Sequence, residues 1–248
     1  MSPDNRKHRG PGPRDHLLFT EEQIEIMSKA AKDYCWLLDK HYAAKAALKL
    51  VGDHYKLRER QRTALDKACQ PRELVERVAA GELTSPDMLK NQPVIIDGFN
   101  LLIIMEAILS GAPVFKGRDG LIRDISGLHG SYRKISETPV AIALIAQFFR
   151  QYNAHSVLWV FDKPVSNSGR LAKLVEEVGC QNNIQWQTRL ADQTDNKVAE
   201  ANKIVISSDS QILARCNQWF NLISFFLENR VIKVPWLIDI WNHDRAER

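Results

Sequence analysis

The chain has 248 residues, of which 44% are apolar and 26% are charged, and this composition excludes disorder along the whole length. A chain of this length forms one large domain or two small ones around a buried core. Its 34 Lys and Arg against 30 Asp and Glu give a net charge of +4, which is too small to predict a nucleic-acid or membrane partner by itself. Its apolar runs are shorter than the roughly 20 residues that span a bilayer, so we expect no membrane partner.

Residues 1–16 are polar and rich in Gly, Pro and Arg, which is unlike a secretory signal. We therefore expect a flexible tail over 1–16 in a cytoplasmic protein. Cys35, Cys69, Cys180 and Cys216 lie far apart in the sequence, without the spacing of zinc ligands. We expect these cysteines to be small buried apolar residues.

Residues 17–90 carry helical patterns. Thr20–Gln23 has the pattern of a capping box, which favours a helix start. Apolar residues between 24 and 42 then recur at the three- and four-residue spacing of one buried helix face. Gly52 and Pro71 divide the rest into further helices, so we predict a small all-helical domain of about four helices.

From residue 91 to residue 248, short β-branched or aromatic runs alternate with helical patterns. The predicted strands lie at 94–96, 157–161, 184–187, 204–206 and 222–225. The predicted helices lie at 100–110, 139–152, 168–178, 196–202 and 210–217. This alternation predicts an α/β fold in three layers, α/β/α, with a mainly parallel sheet and functional residues at the carboxyl ends of its strands.

Aspartates follow several of these predicted strands. Asp97, Asp162 and Asp209 come at the ends of the first, second and fourth strands, and Asp192 and Asp195 come shortly after the third. Because the carboxyl ends of parallel strands meet at one edge, we expect these carboxylates to converge there. Two such charges about 4 Å apart repel by roughly 4 kcal/mol at an effective dielectric constant near 20, and a divalent cation removes this repulsion.

Carboxylate oxygens are the ligands that suit Mg²⁺ or Mn²⁺, and both ions serve phosphate chemistry. The alternative is that each aspartate only caps a following helix. Other chemistries lack their motifs, because the chain has no Gly-rich phosphate loop and no GxSxG nucleophile turn. A small-molecule phosphatase would need a second acid two residues after Asp97, where Phe99 stands.

Three short motifs resemble the PIN-like nuclease superfamily, which includes NYN-type ribonucleases and flap-type 5′ nucleases. They are Ile96–Asn100, Val160–Asp162 and Ile206–Ser210, and the segment Gly127–Arg133 resembles the motif order of the flap nucleases. Leu50–Arg62 is similar to the signature of a prokaryotic domain of unknown function that is found fused to a PIN-like domain. The resemblance thus implies a helical domain of unknown function followed by a PIN-like α/β domain.

The same resemblance implies roles for individual residues. The implied catalytic metal ligands are Asp97, Asp162, Asp195 and Asp209, and they would hold one or two Mg²⁺ or Mn²⁺ ions. Asp192 is the less favoured alternative to Asp195 as a metal ligand. Asn100 would hold Asp97 or a substrate phosphate through its amide. Gln211 departs from the pattern, because many relatives have a second acid at that position.

Several basic and polar residues are candidates for binding substrate. Lys163, Ser168 and Arg170 follow Asp162 at the same predicted edge, where a helix N-terminus offers amides to a phosphate, and Ser208 belongs to the last motif. Within the helical domain, Arg58 and Arg62 would share one helix face as a phosphate-binding ridge. The alternative for these two arginines is a solvated or interdomain face paired with acids.

A loop rich in charge, residues 116–120 with Arg123 nearby, has two interpretations. It could lie over a substrate, or its charges could simply be exposed to solvent.

Two functional hypotheses follow from these residues. The first is a metal-dependent nuclease that hydrolyses phosphodiester bonds in RNA or structured nucleic acid, with RNA favoured over DNA. The second is a non-catalytic nucleic-acid-binding or regulatory adaptor that keeps the fold but lacks a complete metal site, as Gln211 suggests. Protein partners and a homo-oligomer are left open.

Overall fold

The computed structural model describes residues 8–126, 132–154, 156–184 and 186–241, and it confirms the α/β class. The helices are α1 (Asp15–Leu18), α2 (Glu21–Asp39), α3 (Ala44–His54), α4 (Glu59–Ala68), α5 (Arg72–Ala80), α6 (Gly98–Leu109), α7 (Glu137–Tyr152), α8 (Ser168–Gln181), α9 (Thr194–Ala199), α10 (Ser210–Leu213) and α11 (Leu222–Glu228). The strands are β1 (Glu82–Leu83), β2 (Pro93–Asp97), β3 (Val114–Lys116), β4 (Ile122–Asp124), β5 (Ser156–Asp162), β6 (Trp186–Ala191), β7 (Ile204–Ile206), β8 (Trp219–Phe220) and β9 (Leu237–Ile238). Throughout these ranges every helix is too short or too polar to cross a membrane.

The main sheet has six strands in the order β1-β8-β7-β2-β5-β6, and all its pairs are parallel. Val94 and Ile96 of β2 face the apolar core formed by α6, α7 and α8, while Ile95 faces a second core formed with α5, α9 and α10. The strands are therefore covered on both faces, which explains why their sequences are continuous apolar runs. The three predicted layers are present.

The helical region packs on a second, small sheet of order β4-β3-β9. Met27 and Leu65 are buried in a core that also contains Phe115 of β3 and Ile238 of β9. Helix α2 begins as predicted, because the Thr20 hydroxyl accepts a hydrogen bond from the backbone amide of Gln23, the third residue of the helix. The helical region and the α/β region thus share apolar contacts through this small sheet.

One predicted strand is wrong, because Leu222–Phe225 forms the start of helix α11. The Asn221 side chain accepts a hydrogen bond from Ser224 N at 3.2 Å and so caps this helix. The strand in this part of the chain is β8, directly before the cap. Strand β6 also begins later than predicted, and the short strands β1, β3, β4 and β9 were not predicted.

The described part of the N-terminal segment differs from the flexible tail that its composition suggested. The Arg9 Nε donates to Glu106 Oε2 at 2.5 Å, and the Glu106 side chain is fully buried. The Asp15 side chain is also buried and pairs with Arg60 of α4. Specific ion pairs therefore fix residues 8–16, and residues 1–7 lie outside the described residues.

The prediction for the cysteines holds for two of the four. Cys35 and Cys69 are buried, whereas Cys216 is half-buried and Cys180 is exposed. Cys180 lies in the last turn of α8 and is not among the residues that this helix buries.

Candidate functional site

Four carboxylates lie together at the carboxyl edge of the main sheet. Asp97 ends β2, Asp162 ends the neighbouring strand β5, and Asp209 follows β7 on the other side of β2. Asp195 lies in the first turn of α9, just after β6. The negative charges of Asp209, Asp162 and Asp195 each raise the pKa of Asp97, so all three lie close enough to act on that carboxylate.

Asp97 is the buried centre of this group. Burial is the main cause that raises its pKa to about 7, and the three neighbouring carboxylates raise it further. The Ser207 hydroxyl donates to Asp97 Oδ2 at 2.9 Å and opposes that shift. The next residue must be small, because a Cβ on Gly98 would lie 2.3 Å from the Phe161 ring. The glycine therefore allows the chain after β2 to pass this close to the end of β5.

Of the two acids that follow β6, only Asp195 belongs to the group. Burial raises its pKa, and the charges of Asp209 and Asp162 add to that rise, while Arg215 opposes it. Asp192 instead lies in solvent, with its side chain 71% exposed and 3.5 Å from Lys163 Nζ. The resemblance favoured Asp195 over Asp192, and the structure places Asp195 with the group, in the first turn of α9.

The alternative that these aspartates cap helices applies in part to one of them. Asp209 Oδ1 accepts from Gln211 N at 2.8 Å and caps α10. Asp97 stands at the cap position of α6, yet its carboxylate accepts from Ser207 rather than from the helix. Ser207 also accepts from Asp209 N at 3.1 Å, so one hydroxyl connects the two acids.

The loop that carries Asp209 is held from both sides. Asn100 Oδ1 accepts from Ser208 N at 2.7 Å, and the Ser208 carbonyl accepts from Arg123 Nε at 3.1 Å. Ser208 is buried, and these two contacts of its backbone amide and carbonyl position the loop. The Asn100 oxygen thus fixes the backbone that follows β7, and the predicted role of Asn100 in holding Asp97 or a phosphate stays a prediction.

A buried ion pair under this loop was missed by the sequence analysis. Arg123 donates to both carboxylate oxygens of Asp119 and, at 2.6 Å, to Ser210 Oγ. Asp119 of the loop at 116–120 is therefore buried and paired rather than exposed to solvent. Arg118 of the same loop pairs with Asp39 of α2, at 2.9 Å and 3.0 Å. The four-residue spacing of Asp119 and Arg123 was the only sequence signal for this pair. That spacing does not reveal that Arg123 also contacts Ser208 and Ser210, which lie far along the chain.

The residues predicted to bind substrate near Asp162 have different surroundings. Arg170 is exposed in the first turn of α8, which suits contact with an anion. Lys163 is exposed and paired with Asp192. Ser168 is buried at the first position of α8, so its side chain faces the protein.

The arginine ridge predicted in the helical region is not present as one helix face. Helix α4 begins only at Glu59, so the exposed Arg58 precedes the helix in an extended conformation. Arg62 donates to the Leu57 carbonyl and to Asp53, both at 2.8 Å. Arg62 therefore follows the alternative interpretation, in which these charges are paired with acids.

The chemistry of the acid group fits a divalent cation, although its present arrangement is not a finished ligand set. Within residues 8–126, 132–154, 156–184 and 186–241, no three His, Cys, Asp or Glu side chains are arranged to hold a metal ion together. The donors at the edge are nevertheless hard oxygens, and burial first and mutual repulsion second raise the pKa of Asp97 and of Asp195. A cation reverses that effect, so the residues fit Mg²⁺ or Mn²⁺.

Residues 86–225, over half of the chain, match the family described as Domain of unknown function (DUF5616), and the chain belongs to this family. Residues 26–80 match the family described as Protein of unknown function (DUF434). A relative in Methanocaldococcus jannaschii, Uncharacterized protein MJ0935, is 28% identical over 187 residues, which cover 75% of this chain and 88% of that protein. No solved structure matches the chain.

Proposed function

We propose that the protein is a metal-dependent nuclease with a PIN-like domain, which hydrolyses phosphodiester bonds in RNA or structured nucleic acid. The observation that carries the proposal is the meeting of three carboxylates with that of the buried Asp97. Such a group is unfavourable without a cation, and its oxygen donors suit the ions used in phosphoryl transfer. The resemblance of the motifs at 96–100, 160–162 and 206–210 to PIN-like nucleases supports the same activity.

Asp97, Asp162, Asp195 and Asp209 would hold one or two Mg²⁺ or Mn²⁺ ions. A bound ion of this kind lowers the pKa of a water ligand and neutralises charge on the phosphate. The Asn100 amide nitrogen would orient a phosphate oxygen, and the exposed Arg170 would neutralise the strand beside the acids. The four free thiols agree with a reducing compartment such as the cytoplasm.

The test compares wild type with Asp97→Asn on single-stranded and flapped RNA and DNA, with Mn²⁺ and with EDTA. Asp97 is fixed by the sheet and by Ser207, so no mobile neighbour replaces its charge. We expect the variant to lose nearly all cleavage, because loss of a ligand that orients the ion costs several kcal/mol and each ~1.4 kcal/mol is tenfold in rate.

The matched control is Asp192→Asn, which removes an exposed aspartate outside the acid group and should cut at the wild-type rate. Equal cutting by wild type and Asp97→Asn, or cutting by neither, contradicts the nuclease.

The second candidate is a non-catalytic nucleic-acid-binding adaptor on the same fold. Gln211 at the position of a second acid favours it, since the acid group then has one carboxylate fewer. This candidate predicts binding of RNA that survives both Asp97→Asn and EDTA, with no cutting by any variant. Measuring RNA binding and cleavage on the same preparations separates the two functions.

A further inference from the structure

A cavity of about 450 Å³ lies beside the start of α8, near the loop that follows Asp162. Three cations line it, and they are Arg133, Lys134 and Arg170. Leu171 and Leu174 add an apolar part to the wall, and none of its described lining residues is a carboxylate. The cavity is therefore suited to a ligand with an anionic group and an apolar group.

The wall of this cavity is held by specific hydrogen bonds. Asn167 Nδ2 donates to the Tyr132 carbonyl at 2.8 Å, and Tyr132 N donates to the Ser166 carbonyl at 3.1 Å. The Tyr132 ring is buried against Phe99, with 5.4 Å between the ring centroids, and its hydroxyl bonds to Glu106. Tyr132 thus anchors the segment that carries Arg133 and Lys134 and is not itself available to stack on a base.

The charge of the cavity favours a phosphomonoester over a phosphodiester. A monoester carries a charge near −2 at neutral pH, because its second pKa is about 6, whereas a diester carries only one charge. Three cations in one cavity match the dianion better. The amides at the start of the 14-residue helix α8 add partial positive charge beside them.

The size and the apolar wall indicate what is attached to the phosphate. A volume of about 450 Å³ lies within the range of small-molecule sites and exceeds what a bare phosphate ion needs. Leu171 and Leu174 offer apolar surface to a sugar or base. We propose that this cavity binds a phosphomonoester on a nucleoside, supplied by the end of a nucleic-acid strand or by a free nucleotide.

The test measures binding by calorimetry in EDTA, so that the acid group takes no part. The ligands are adenosine, AMP, and one oligoribonucleotide with and without a terminal phosphate. We expect each phosphorylated ligand to bind at least about tenfold more tightly than its unphosphorylated partner. The combined variant Lys134→Ala with Arg170→Ala should abolish that preference.

The matched control is Lys173→Ala, which removes an exposed cation from the same helix outside the cavity and should keep the preference. Tighter binding of the phosphorylated strand than of AMP assigns the cavity to strand ends, and the reverse order assigns it to free nucleotides. Equal binding with and without phosphate, or equal loss in Lys173→Ala, overturns the proposal.

This proposal can fail separately from the nuclease. Asp97→Asn should keep the preference for phosphate even when it no longer cuts. Conversely, a protein that cuts in Mn²⁺ but shows no such preference in EDTA would retain the nuclease and lose this cavity as a binding site.

Discussion

Arg123 and Asp119 form an ion pair that is nearly closed to solvent, with side chains 8% and 0% exposed. The pair lies under the loop that carries Asp209, because Arg123 also donates to the Ser208 carbonyl and to Ser210 Oγ. The pair connects the small sheet to the acid edge, so its loss should lower both the free energy of unfolding and the affinity for metal.

We expect Arg123→Met to lower the free energy of unfolding by about 3–5 kcal/mol, since it leaves Asp119 buried without its cation. Mn²⁺ affinity should fall as well, because Ser208 and Ser210 lose the guanidinium that positions Asp209. Urea denaturation and calorimetry measure the two effects.

The control for that prediction is Arg118→Met in the same loop, which breaks the pair with Asp39. It should lower stability while leaving Mn²⁺ affinity unchanged. Equal loss of Mn²⁺ affinity in both variants would mean that the loop acts only through global stability.

Removal of one charge from the acid group should separate metal binding from folding. We expect Asp209→Asn to bind Mn²⁺ more weakly, yet to be as stable as wild type or more stable without metal, because one repelling charge is gone. Asn caps helices as well as Asp does, so the contact with Gln211 N is kept. If calorimetry gives the same Mn²⁺ affinity for both proteins, Asp209 is not a ligand.

The buried Asp97 should make the metal-free protein less stable as the pH rises. Its pKa is about 7 in the folded chain, against the ordinary aspartate value of 3.8. The protonated carboxyl therefore stabilises the fold at low pH, and this contribution is lost as the pH rises through 7. The stability of Asp97→Asn relative to wild type should increase by roughly 2–3 kcal/mol between pH 5 and pH 8.

Urea denaturation in EDTA at the two pH values measures that difference, and the comparison cancels the other titrating groups. A difference that stays constant with pH would contradict the raised pKa of the buried Asp97.

The arginines predicted to bind substrate should now behave differently from each other. Arg170→Ala should weaken RNA binding and reduce the slope of log affinity against log salt by about one, as the loss of one phosphate contact does. Arg62→Ala should leave that slope unchanged and cost ~1 kcal/mol of stability through its lost bond to the Leu57 carbonyl. Fluorescence anisotropy over a salt series distinguishes them, and a reduced slope for Arg62→Ala would return it to the binding surface.

The sequence predicts the acid edge well because its signal is local. In β2 and β5 an apolar run ends in an aspartate, and after β7 two serines precede Asp209. Parallel pairing then brings Asp97, Asp162 and Asp209 to one side. The failures depend on distant contacts. A short apolar run such as Leu222–Phe225 fits either a strand or a helix, and the Asn221 cap decides between them.

The small sheet was missed for a related reason. Its strands have two or three residues each, and β3 pairs with β9 from the far end of the chain. The contact of Arg123 with Ser208 likewise joins segments that no local pattern relates.

Phe115 and Arg123 are direct cross-strand partners in the small sheet, so their side chains leave the same face of that sheet. The Phe115 ring is fully buried in the core of the helical region, while the Arg123 guanidinium lies under Asp209. A shortened chain that began at residue 91 would therefore expose an aromatic ring on the strand next to the support of the acid edge. The helical region therefore supports the acid edge through the small sheet. Removing the helical region would damage the site even if that region never contacted a ligand.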